Sequence, residues 1–170
     1  MRPLIAAASL LLIIVAVQSQ SNQDELARVK ESVKTEVSKD LKGWTYKSVE
    51  PIQGSQNVVI QQWRQSDIII KVAISRLEAQ VDAEDAFKQT KLHLRKEEEA
   101  TSKSRGKIVK LIKEDLSIGD EGFVGDKAGS EAVMFRKGRY IVNVSVPSPV
   151  NNKDVFFSRK VAQDVARALE

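Results

Sequence analysis

The sequence contains no cysteine and a single histidine, His93. The first absence excludes disulfides, thiolate metal sites, cysteine nucleophiles and a cysteine-linked lipid anchor. The second means that a zinc centre or a Ser-His-Asp triad would have to be built around one imidazole, and no Gly-x-Ser-x-Gly elbow accompanies it. His93 lies in a lysine-rich helical segment with Glu97 four residues on, which reads as a surface position rather than a ligand set. Neither a P-loop nor Gly-x-Gly-x-x-Gly occurs, so nucleotide enzymes drop out and no cofactor is implied. Ser104-x-x-Lys107 has the spacing of penicillin-recognising enzymes, but it enters a strand from a loop and lacks the Ser-Asp-Asn and Lys-Thr-Gly companions.

A strong excess of one charge is missing as well. The 27 basic and 23 acidic residues leave +4, and without Arg2 the balance is 26 against 23, or +3. So mild an excess implies no nucleic-acid partner. With 42% hydrophobic and 29% charged residues in 170, the composition is that of a globular chain of about one domain. There is no internal repeat, no low-complexity block and no interior linker.

What is present begins at the N-terminus. Arg2 precedes Leu4 to Val17, an apolar run whose one polar member is Ser9. That is the length of a signal-peptide core and short of the roughly 20 residues a spanning helix needs. The junction Val17-Gln18-Ser19 supplies a small residue for cleavage. The expectation is a signal peptide over 1–19, a single domain over 20–170, a secreted or periplasmic location and no membrane anchor once the leader is removed.

Within 20–170, Leu26, Val29, Val33, Val37 and Leu41 recur at helical spacing and predict a helix over 24–42, capped by Gly43. Strands are predicted over 44–50, 58–64 and 68–76. A Ser66-Asp67 turn would set Trp63 opposite Ile70. Asp82 begins a second helix, over about 82–100. Strands return at 107–114, 122–125, 131–136 and 139–147, the last two joined by Lys137-Gly138, which would place Phe135 opposite Tyr140 and Arg136 opposite Arg139. A closing helix runs from about 153. The order α-βββ-α-ββββ-α, with hairpins and few helices, predicts an α+β fold. It is a mainly antiparallel sheet of six to seven strands with three helices, arranged as an α/β/α sandwich so that Ile69 and Ile141 are covered on the second face.

Gly119-Asp120-Glu121-Gly122-Phe123, followed by Val133-Met134-Phe135-Arg136-Lys137-Gly138-Arg139-Tyr140-Ile141-Val142, resembles a pattern of bacterial extracytoplasmic α+β domains of unassigned function. Their sandwich is similar to that of the PsbP family. The resemblance spans about 44–170 and carries no catalytic or ligand residue with it.

Two clusters invite chemistry. Asp115, Asp120, Glu121 and Asp126 are the densest acidic stretch in a loop, and hard cations take such oxygens, although the spacing fits no EF-hand. Arg136, Lys137 and Arg139 would form a basic hairpin tip. The two arginines repel and nothing in the immediate sequence neutralises them, so an anion such as an acidic glycan or lipid headgroup would relieve their repulsion. Asn143-Val144-Ser145 is a glycosylation sequon, meaningful in a eukaryotic host. These features together suggest an exported, non-enzymatic binding or structural module of the periplasm, envelope or extracellular space, with an envelope protein as another possible partner. The alternative is a carboxylate-based hydrolase of an extracellular polymer, which needs one of these acids beside another in a concave site.

Overall fold

The computed structural model describes residues 4–50, 57–127, 130–146 and 152–170, with side chains from residue 22 onward except at 126–131 and 152–156. The elements are α1 (Leu4–Asp40), β1 (Thr45–Val49), β2 (Val58–Gln65), β3 (Ile68–Arg76), α2 (Gln80–Arg105), β4 (Ile112–Leu116), β5 (Glu121–Lys127), β6 (Ser130–Lys137), β7 (Tyr140–Ser145) and α3 (Asn152–Ala168). The three helices and the seven-stranded, wholly antiparallel sheet make the α+β fold the element order predicts. Strand order is β1-β2-β3-β7-β6-β5-β4. Two meanders therefore meet along β3 and β7. After β3, α2 crosses behind the sheet to its far edge, and β4 to β7 walk back to the centre.

The first face of the sheet is the dry core. Trp63, Ile70, Val72, Ile74, Val124, Val133, Phe135, Val142 and Val144 alternate inward from five strands and are fully buried. Val33 and Val37 of α1 and Val161 and Val165 of α3 close over them. The narrow valine stripe of α1 gains its stability from this packing, since α1 and α3 pack on each other as well as on the sheet. On the second face α2 lies over β4, β6 and β7, with Phe87 against Phe123 at 5.5 Å. Helices thus stand on both faces of the sheet, and Ile69 and Ile141 on the second face are half-buried.

The register of β2 with β3 is as predicted. Trp63 pairs with Ile70, and Ser66 takes a left-handed φ of 52° to make the turn. The hairpin of β6 and β7 departs from expectation. Its two turn residues are Gly138 and Arg139, with Lys137 opposite Tyr140, Arg136 opposite Ile141 and Phe135 opposite Val142. The strands slide by an even number of positions, so Val133, Phe135, Val142 and Val144 keep the inward face while the pairing of Arg136 with Arg139 disappears. Gly138 takes the left-handed φ of 54°, which a glycine adopts without steric cost.

Other boundaries move for identifiable reasons. In α1 the helical backbone begins at Leu4 rather than residue 24 and ends at Asp40. Asp82 is not the residue before α2 but lies inside its first turn, where its carboxylate accepts from the backbone N–H of Ala79 at 3.1 Å. α2 continues to Arg105 and is stopped by Gly106, whose φ is 62°. The strand expected from 107 starts only at Ile112, because side chains of α2 take the backbone donors ahead of it. Glu98 accepts from the N–H groups of Leu111 and Ile112 at 2.5 and 2.7 Å, and Ser102 Oγ accepts from that of Val109 at 2.9 Å. The connections expected at Pro51 to Ser55 and at Pro147 to Asn151 lie outside the described residues. Among the described residues no helix is long and apolar enough to cross a membrane.

Candidate functional site

The charged clusters singled out in the sequence are occupied by one another. Arg136 projects to the second face at one end of the sheet and is nearly buried. Its guanidinium donates to Asp120 at 2.8 Å, to Glu121 at 3.0 Å and to the carbonyl of Gly138 at 3.1 Å. Glu84 of α2 stands 3.7 Å away. Arg139 and Arg76 share the carboxylate of Glu25 on α1, the second at 3.0 Å, and the Tyr140 hydroxyl donates to it too. Lys137 faces Glu170 at 3.6 Å. Each cation of the tip thus has a carboxylate, and the unrelieved repulsion that argued for a bound anion is absent.

The pKa of Glu25 follows from this setting. Burial raises it, but the Tyr140 hydroxyl, Arg139 and Arg76 outweigh that effect and hold the carboxyl below its ordinary range. Tyr140 is pushed up, by burial first and then by Glu25.

The acidic turn is a clasp around Arg136. Gly119, at φ 65°, lets the chain fold against the neighbouring strand so closely that a Cβ there would stand 2.3 Å from the Arg136 carbonyl oxygen, and the Asp120 N–H donates to that same oxygen at 2.8 Å. The Gly-Asp-Glu-Gly sequence is what this corner requires. Asp115 points elsewhere, to Lys91 at 2.7 Å, which holds its carboxyl below the ordinary range. The side chain of Asp126 lies outside the described residues. Among the described residues no three potential ligands converge on a metal position.

A different place is chemically unfinished. Beneath α2, Leu94, Leu111, Phe123, Gly125, Ala132 and Met134 line an apolar cavity of about 110 Å³, together with Asn143. Strand alternation puts these residues there: Asn143 lies opposite Met134 of β6 and Ala73 of β3, in the middle of the second face. Its Oδ1 is buried and has no hydrogen-bond partner. An unpaired buried acceptor costs about 1–3 kcal/mol. Gln61 Oε1 and Asp164 Oδ2 are also buried and unpaired, but both side chains are otherwise tied down. Gln61 donates to Lys30 O and Tyr46 Oη, each at 2.9 Å, and Asp164 receives Lys160 and Arg167. Asn143 has no such tie among the described residues. The sequon at this position is therefore the middle of a strand with its amide turned into a cavity.

Sequence reasoning missed Asn143 as a site. Its one signal was a polar amide among the apolar residues of Ile141-Val142-Asn143-Val144, on the face expected to be covered. Compared with family models, with curated proteins and with solved structures, the chain has no significant match in any of the three.

Proposed function

We propose that the chain is an exported, non-catalytic binding domain whose ligand site is the cavity beneath α2. The observation that carries this reading is Asn143, whose unpaired Oδ1 sits beside the otherwise apolar described lining of a half-open cavity. Small-molecule sites combine apolar walls with few placed polar groups. Among the described residues no charged side chain lines the cavity, so the ligand is neutral where it is held and donates a hydrogen bond to the amide oxygen. A cavity of about 150 Å³ accommodates benzene. One of about 110 Å³ takes about four or five non-hydrogen atoms by that measure, such as a short aliphatic alcohol or the hydroxyl-bearing end of a larger molecule. Export rests on the apolar run and cleavage junction at the N-terminus.

The rival hydrolase needs two carboxylates free to face a substrate. Asp115, Asp120 and Glu121 are instead each held by a lysine or arginine, which favours a binding role over acid–base work.

Met134 makes the test direct, because Met1 is the other of the two methionines. In protein carrying ¹³C-methyl methionine, titration with 1-butanol is expected to move the Met134 methyl resonance saturably, and Asn143→Leu to weaken that response at least tenfold. A Met134 signal that does not saturate, or that responds equally in the leucine variant, overturns the reading.

A further inference from the structure

Whereas the cations of the hairpin tip are each paired, a run of unpaired ones lies at the end of α2 and in the loop after it, among the described residues. Residues 103–113, Lys-Ser-Arg-Gly-Lys-Ile-Val-Lys-Leu-Ile-Lys, contain five basic residues and no acid. Lys103, Arg105, Lys107 and Lys110 are exposed and make no ion pair among the described residues. In their midst Ile108 is 85% exposed, the most exposed large hydrophobic among the described residues. The loop that presents it is held: Ser102 and Val109 exchange hydrogen bonds, and Glu98 fastens Leu111 and Ile112. An isoleucine held out into solvent on a braced loop, with four exposed cations close to it along the chain, is suited to a surface that is negative outside and apolar just beneath.

We infer that the loop 103–110 docks the domain on an anionic lipid bilayer, with Ile108 entering the headgroup boundary and Lys103, Arg105, Lys107 and Lys110 facing lipid phosphates. A soluble acidic polymer would satisfy the cations but would give Ile108 nothing. The inference stands independently of the cavity reading, although Leu111, three residues beyond Ile108, is a cavity wall.

The fold also sets the orientation. Ile112 is level with Gly125, and through Ala132 and Ser145 with Lys71 near the start of β3. Glu25 of α1 lies at the other end of the sheet, against Arg76 and Arg139. A bilayer holding the N-terminal run and a bilayer touching the loop would therefore lie at opposite ends of the domain.

That opposition supplies the test. The full chain has no cysteine, so single cysteines at Ser104, beside the loop, and at Ser117, at the far end of β4, can each carry an environment-sensitive dye. With vesicles of phosphatidylglycerol and phosphatidylcholine, the Ser104 dye is expected to shift to the blue, to revert in 0.5 M salt, and to stay unchanged on pure phosphatidylcholine. Lys107→Gln with Lys110→Gln should weaken partitioning about thirtyfold, on the usual contribution of each basic residue near an anionic surface. Ile108→Ser should reduce the blue shift several-fold. These side chains are exposed, so the variants should fold, with unchanged circular dichroism as the check. A shift at Ser117 with Ser104 silent, equal partitioning on both vesicle types, or salt-dependent binding to heparin that exceeds vesicle binding and ignores Ile108→Ser would each overturn the inference.

Discussion

Under α1 and α3, the inward residues of β2, β3, β5, β6 and β7 are almost all aliphatic or aromatic and fully buried, from Trp63 through Ile70 and Val133 to Phe135 and Val144. Under α2, the alternate residues of the same strands include Gly125, Ala132, Met134 and Asn143, and a cavity remains. The chain thus meets two packing standards within one sheet. Alternation allows this, because successive side chains of a strand belong to different faces and can be selected separately. The first face is packed without a gap among these residues, and the second, although Phe87 and Phe123 are buried there, keeps a cavity.

The sharpest way to break the comparison lies at the rim joining the two halves. Arg136→Gln should destabilise the fold by about 3 kcal/mol, because Asp120, Glu121 and Glu84 lose their shared, nearly buried counter-charge. Chemical denaturation would measure it. An unchanged midpoint would mean that the clasp is solvated and that α2 is fastened in another way.

Paired truncations test the faces themselves. Phe135→Ala on the first face should cost about 3–5 kcal/mol, as large buried side chains do. Met134→Ala, its neighbour on the second face, should cost about 1 kcal/mol, since the half-buried side chain already borders empty space. Equal costs would show the faces to be packed alike.

Glu25→Gln probes how α1 is held on the first face. It should cost about 1–2 kcal/mol at neutral pH, by leaving Arg76 nearly buried without its anion. The folded-state pKa of Glu25 is depressed. Its contribution is therefore present above the ordinary carboxylate range and lost as pH falls through the lowered value. Denaturation curves of parent and variant should converge on acidification, and a constant gap would refute the linkage.

On the second face, Asn143→Leu should raise stability by about 1 kcal/mol while weakening the proposed ligand binding, because it removes a buried, unpaired acceptor from beside apolar neighbours. A structural asparagine would show the reverse, a loss of melting temperature with binding intact. The smallest expected effect is at Ser66→Gly, where relief of the left-handed φ in the β2–β3 turn should add about 0.5 kcal/mol to stability and leave both faces untouched.

The sequence by itself determined the element order, the antiparallel sheet and the inward set of β3. Alternating Ile68, Ile70, Val72 and Ile74 admits one face, and an even slip of the β6–β7 hairpin changes partners without changing faces. The N-terminal apolar run and the lack of cysteine are likewise properties of sequence alone. Tertiary structure decided the rest, because partners distant along the chain settle it. Glu25 is more than a hundred residues from Arg139, and Glu98 claims backbone donors that a local reading assigns to a strand. Charge at a site is the sum over everything packed near it. The concentrated basic tip at Arg136 to Arg139 is therefore neutralised from α1, α2 and the 119–121 turn, whereas Lys103, Arg105, Lys107 and Lys110 around Ile108 meet no such carboxylates among the described residues. Asn143 became a candidate site only when α2, β5, β6 and the loop at Leu111 lined a cavity beside it, since burial, not residue type, turns an ordinary amide into an unpaired acceptor.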